Sequence, residues 1–378
     1  MLLPASEQSA LRALRVFRSA RNDLPTSRCE LPRPDPSPQQ RWSKGLVPLE
    51  PLGLSEPPSG ERTVNVLAPD AASRTQASFF SCHVLPAGLP TDSFVSLGNG
   101  ICIPCPELLF LQMATIMTPE VHVLLGYELC GTYSRSATNP RGGEAIYDIA
   151  PATTVERIGR YLDACGRRSS VTIARRNLGR VADNAWSPIE AILALVACLP
   201  AHEDGYGLGK VSLNVRHGSS PELVRLGCRE SRVPDIEIVG THVGFNYDSS
   251  LHLDLESIVT ATQNGDPLGA MRSVREKYLD DLRRNRELAA MGRVILPVTS
   301  NDLFAPGGLD AVMLEAALAM EEFDDRSAGY LKAIVSSEAL RASRQQLVWS
   351  LLPWPEGQRH ARELLERTPW RAPVHRAR

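Results

Sequence analysis

The chain has 378 residues, 43% of them hydrophobic and 22% charged, with a formal net charge of −2. These are the values of a soluble globular protein with room for two domains and a sizeable core. No apolar run reaches the roughly eighteen residues a membrane span needs, and Met1-Leu2-Leu3-Pro4 is too short for the apolar stretch of a signal peptide.

The charge is uneven. Leu331 to Arg378 carries nine Lys/Arg against four Asp/Glu, and a basic end suggests nucleic acid or an acidic partner. Eight cysteines are scattered, several in apolar runs such as Leu-Val-Ala-Cys198-Leu. They read as reduced, mostly buried thiols of a cytoplasmic protein. Cys102-Ile-Pro-Cys105 has metal-ligand spacing, but a zinc site needs a second pair. Two strand cysteines flanking a turn are expected instead.

In chain order, Ala5 to Arg21 reads as a basic helix with Arg12, Arg15, Arg18 and Arg21 at three-residue spacing. Such a face contacts nucleic acid or is simply solvated. Pro25 to Pro58 holds nine prolines, the composition of a linker or poorly ordered loop. Strands are expected at Thr63–Leu67, Ser78–Leu85 and Gly100–Ile103. A helix follows from Pro106, then an apolar segment, Val121–Leu129.

Thr154–Cys165 and Val171–Ala182 read as helices. Ser187–Pro200 is the clearest helix, with Ser187 as cap, Pro188 first and Glu190 third. It is apolar nearly all round, hence buried. Gly205-Tyr-Gly-Leu-Gly lacks the lysine of a phosphate loop and reads as a turn. Val211–Val215 is a strand. Pro234–His252 then reads as two short strands joined by a Gly240-Thr241 turn. Asp235 opens the first strand; Asp248 and His252 sit at and just past the end of the second. Groups so placed can converge on one metal or one water, although Pro-Asp is also ordinary turn chemistry and Asp-Ser-Ser a helix cap. A helix over Pro267–Gly292 carries Arg272, Arg275, Arg283 and Arg284. A strand over Arg293–Thr299 leads to a last helix, Leu309–Met320, capped by Asn301 or Asp302. From Ser187 the order is helix, three strands, helix, strand, helix: a mixed α/β layer structure.

Ser187-Pro-Ile-Glu190, Asn214, Arg232-x-Pro-Asp235, Asn246-Tyr-Asp-Ser249, His252, Asp281-x-x-Arg284-x-x-x-Leu288 and Val298-Thr299 stand in a familiar order. The stretch from about Arg167 to Glu322 resembles actinobacterial proteins with a domain similar to the very short patch repair endonucleases, a branch of the PD-(D/E)xK superfamily. The front half, with Pro106-Glu-Leu and Glu128-Leu-Cys-Gly-Thr-Tyr133, resembles the abortive-infection antitoxin-like part of the same proteins. The resemblance implies a restriction-endonuclease-like mixed sheet flanked by helices, preceded by a small α+β domain. With the residue readings above, the chain divides into a basic helix and Pro-rich segment at 1–62, the α+β domain at 63–150, an endonuclease-like domain at 151–322 and a basic helical tail at 323–378.

The resemblance also implies roles. Asp235 and Glu190 would hold Mg²⁺, Asp248 would stand where the superfamily has lysine, and His252 would handle a proton. Arg272, Arg275, Arg283 and Arg284 would line a phosphate track on DNA. The chain departs from the pattern at Asn246, where relatives commonly carry Glu, so one anionic oxygen is lost from a site whose metal prefers such ligands. Two readings follow: a Mg²⁺-dependent DNA endonuclease, or a non-catalytic antitoxin- or regulator-type module that binds DNA or a protein partner.

Overall fold

The computed structural model describes residues 2–32, 42–248 and 267–352. The fold is mixed α/β, with 12 α-helices and several small mixed sheets among the described residues. Two compact units emerge, Met1–Ala191 and Ile192–Arg378. No helix among the described residues is long and apolar enough to cross a membrane.

In the first unit β1 (Leu3–Pro4) runs parallel to β5 (Ile101–Pro104), and β5 pairs antiparallel with β4 (Phe94–Gly98). A separate parallel pair joins β2 (Val64–Ala68) and β3 (Phe80–Val84). The helices are α1 (Glu7–Ser19), α2 (Pro106–Met113), α3 (Pro119–Cys130), α4 (Val155–Ala164) and α5 (Ser169–Leu178). Proline opens α2 and α3, where its missing N–H would have had no intrahelical partner anyway. Helices α4 and α5 lie in this unit, which extends to Ala191.

The expectation of a solvated basic face and a poorly packed chain before Thr63 does not hold for the described residues. Helix α1 buries Ala10, Leu11, Ala13 and Leu14 together with Arg15 and Arg18. Arg15 grips the buried Glu128 carboxylate with two bonds, Nε to Oε1 at 2.9 Å and Nη2 to Oε2 at 2.6 Å. Arg18 donates to the carbonyls of Glu128, Gly131 and Ala150. Paired guanidiniums with packed stems can enter a core. The described parts of the proline-rich stretch also pack, burying Leu31, Val47 and Leu52.

All eight cysteines are free thiols. Cys102 lies on β5 and Cys105 just ahead of α2, both buried. Burial pushes both thiols up, Cys105 to about 12. They therefore bracket a strand end and a helix start rather than a turn between strands.

Helix α6 (Pro188–Cys198) is capped as its sequence indicates, with Ser187 Oγ accepting from the Glu190 N–H at 3.2 Å. Its C-terminal end is closed by the following loop, where Tyr206 and Leu208 donate to the carbonyls of Val196 and Ala197.

The sheet of the second unit has the order β11–β10–β9–β6, with β6 (Val211–Leu213), β9 (Ile236–Ile238), β10 (Val243–Asp248) and β11 (Val294–Thr299). Strands β6, β9 and β10 are successively antiparallel, and β11 joins β10 in parallel. The β9–β10 turn passes through Gly240 at φ +75°, a conformation that favours glycine. A parallel partner requires a crossover, and α8 (Pro267–Ala290) lies on that connection. Between β6 and β9 sits a small hairpin of β7 (His217–Gly218) and β8 (Ser231–Arg232), with α7 (Pro221–Arg225) at its tip.

After β11 come α9 (Ser300–Phe304), α10 (Gly308–Asp324), α11 (Gly329–Val335) and α12 (Glu338–Leu351). Asp302 caps, but for α9: it forms a capping box with Thr299, and α10 starts afterwards behind Gly307. The tail packs as far as residue 352. Helices α11 and α12 bury Leu331, Ile334, Val348 and Trp349. Asp310 on α10 accepts from Arg341 Nε at 3.1 Å, Arg344 Nε at 2.9 Å and the Tyr206 hydroxyl at 2.8 Å. Two of the tail's arginines are thus spent inside the fold.

Candidate functional site

The alternation of Ile236-Glu-Ile238 and Val243-Gly-Phe-Asn-Tyr247 gives the sheet an apolar and a polar face. Ile236, Ile238, Val243 and Phe245 are buried on the first. Register places Glu237 opposite Ser212 and Gly244. One step along, Asp235 just precedes β9 and meets Asn246 of β10, as adjacent antiparallel strands require.

The contact between these two is specific. The Asp235 N–H donates to Asn246 Oδ1 at 3.0 Å, and the Tyr247 N–H donates to Asp235 Oδ2 at 2.7 Å. An N–H can be answered only by an oxygen, so the first bond fixes which way the amide points. Asn246 is 1% exposed, and its Nδ2 has no hydrogen-bond partner among the described residues. The residue therefore presents a donor where its expected counterpart presents an anionic oxygen.

Asp248 ends β10 opposite Thr299 of β11, half-buried. Tyr247, between Asn246 and Asp248, has its hydroxyl pushed up to about 12 by burial and by the Asp248 charge, so it stays protonated at neutral pH. Glu190 lies in the first unit, where its carboxylate accepts from the Trp186 N–H at 3.0 Å. The carboxylate thus reaches one residue further back than a capping box would take it, to Trp186 rather than Ser187. His252 lies outside the described residues.

Arg232, of the Arg-x-Pro-Asp run, is a structural tie. It donates from Nε to Glu287 at 2.6 Å and from Nη1 to Asp280 at 3.2 Å, joining β8 to α8. Burial works against its charge, but these two bonds outweigh it and raise its pKa. Of the expected phosphate contacts, Arg272, Arg275 and Arg283 are exposed on α8. Arg284 is half-buried, 3.5 Å from Asp281 one turn back. At 100° per residue, Arg272, Arg275, Arg283 and Arg286 share an arc of about 80°, and Arg284 falls outside it.

Sequence reasoning passed over Glu237. It is buried, with His217 Nε2 at 2.9 Å and Arg293 Nε at 3.4 Å from its carboxylate. A charged residue between two isoleucines of one strand was the available signal. Comparison with protein families, curated proteins and solved structures gives no significant match.

A Mg²⁺ ion at Asp235 would meet a neutral amide at Asn246. The ion takes hard oxygens, usually carboxylates. In the Asp235 row the neighbouring amide offers N–H instead, and Glu237 is engaged by His217 and Arg293. Among the described residues no group of three or more His, Cys, Asp or Glu is disposed to hold a metal.

Proposed function

We propose that the second unit is a restriction-endonuclease-like module that has kept its sheet and lost metal-dependent cleavage. In this reading it works as an antitoxin- or regulator-type binding module, with DNA as its first partner. The observation that carries the loss is the Asn246 amide, whose oxygen is held by the Asp235 N–H and whose buried Nδ2 has no partner among the described residues. Phosphodiester hydrolysis needs a Lewis acid to polarise the phosphate, and a buried N–H₂ beside the one remaining aspartate disfavours a cation there. The arrangement of helix, three antiparallel strands, crossover helix and parallel strand supports the nuclease-like frame. Arginine on the outer face of α8 supports a phosphate-bearing partner.

The second reading, an active Mg²⁺-dependent endonuclease, is favoured by Asp235 standing at a strand start against the Tyr247 backbone. A plasmid-nicking assay across Mg²⁺, Mn²⁺ and Ca²⁺ separates the two. Wild type is expected to bind DNA in a mobility-shift assay and to leave the plasmid intact. Nicking by wild type that Asp235→Asn abolishes overturns the non-catalytic reading. Nicking by Asn246→Glu alone assigns the loss to that one residue.

A further inference from the structure

The three arginines of α1 and Arg21 just beyond it meet different fates. Arg15 and Arg18 are spent on Glu128 and on backbone carbonyls, and Arg21 reaches the Asp148 carbonyl. Arg12 differs: its Nε is buried and has no hydrogen-bond partner among the described residues. Burial lowers its pKa with nothing to offset the effect. Its stem is also held. Gly53, at φ +63°, closes a turn against α1, and a Cβ there would lie 3.1 Å from Arg12 Cγ and 3.0 Å from Val16 Cγ2. The turn comes this close because residue 53 has no side chain.

Arg12, itself only partly buried, borders an open pocket of about 210 Å³ whose other walls include Ser55, Thr138 and the exposed Glu56–Arg62 ion pair. Glu56 and Arg62 neutralise each other, so the cavity keeps one uncompensated positive charge. Two hydroxyls capable of donating stand in the same wall. Desolvating an unpaired cation is costly unless an anion answers it. A planar fork of N–H donors on a fixed stem matches the two oxygens of a carboxylate or a phosphoryl group.

We propose that this cavity binds a small oxyanion, a phosphoryl or carboxylate group, with Arg12 as its charge partner. The volume lies below the roughly 300 Å³ at which pockets for drug-sized ligands begin. The pocket itself has room for an ion or a group of few heavy atoms. The site belongs to the first unit and does not depend on the reading of the second.

The test is isothermal titration of the full chain with inorganic phosphate and, separately, acetate, with ionic strength held constant by chloride. Saturable binding of at least one of them is expected in wild type; phosphate alone, or both, tells a phosphoryl site from a general oxyanion site. Arg12→Met keeps the packed stem and removes the charge, and should weaken binding about tenfold or more. Thr138→Glu puts a carboxylate into the cavity wall without touching α1 and should block binding, which keeps the test decisive if Arg12→Met fails to fold. Binding of neither anion to wild type, or equal binding by wild type and a folded variant, overturns the proposal.

Discussion

Glu128 shows how much one buried carboxylate can hold. Burial alone would raise its pKa, but Arg15 and the Arg135 N–H bring it down from 4.5 to about 2. A depressed folded-state value contributes stability above the unfolded pKa and loses it as pH falls through the folded one. The first unit should therefore lose stability between about pH 4.5 and 2, read as a drop in melting temperature by circular dichroism. Glu128→Gln should remove that dependence and cost about 3–5 kcal/mol at neutral pH, since it strands a buried guanidinium. Glu190 makes the opposite case. Its bond to the Trp186 N–H needs an acceptor oxygen and no charge. Glu190→Gln should stay within about 0.5 kcal/mol of wild type, while Glu190→Ala loses about 1 kcal/mol as a lost cap does; urea melts measure both. A metal-ligand role would instead make the two variants equally inactive.

At the level of elements, α8 would carry the DNA contact in the proposed function. Arg272, Arg275 and Arg283 face outward, whereas Arg284 leans toward Asp281. Replacing the three exposed arginines by Gln should weaken DNA binding and flatten its salt dependence, by about one unit of slope for each arginine that neutralises a phosphate. Arg284→Gln should leave the slope nearly unchanged, and an equal effect of both changes would contradict the assignment. Helix α8, its stop at Gly292 and the β9–β10 turn were legible in sequence because periodicity and turn chemistry are local signals. Pairing was less so. The parallel β2–β3 pair and the short β1 and β4 depend on partners that local pattern does not specify. Arg15 looked solvated because the carboxylate that claims it lies 113 residues further on. In the candidate site, the positions of Asp235 and Asn246 on facing strands could be read in advance, but the direction of the amide could not, since it follows from a backbone bond across the turn.

For the whole molecule, the division between Ala191 and Ile192 falls inside α6, whose residues Ala191 to Ala197 are fully buried. Fragments cut at that point should each inherit half of an apolar helix, and neither should give a dispersed amide NMR spectrum; a native-like spectrum from either would show that the helix is dispensable. The free thiols carry a separate consequence. Cys102, Cys105 and Cys130 are buried, and burial raises the pKa of each, so at neutral pH almost none of their sulfur is present as the thiolate that reacts. An alkylating reagent added to the folded chain should pass these three by and mark them only in molecules that have opened. The protein thus carries a built-in chemical clock in its first unit, with label uptake recording how often that core comes apart.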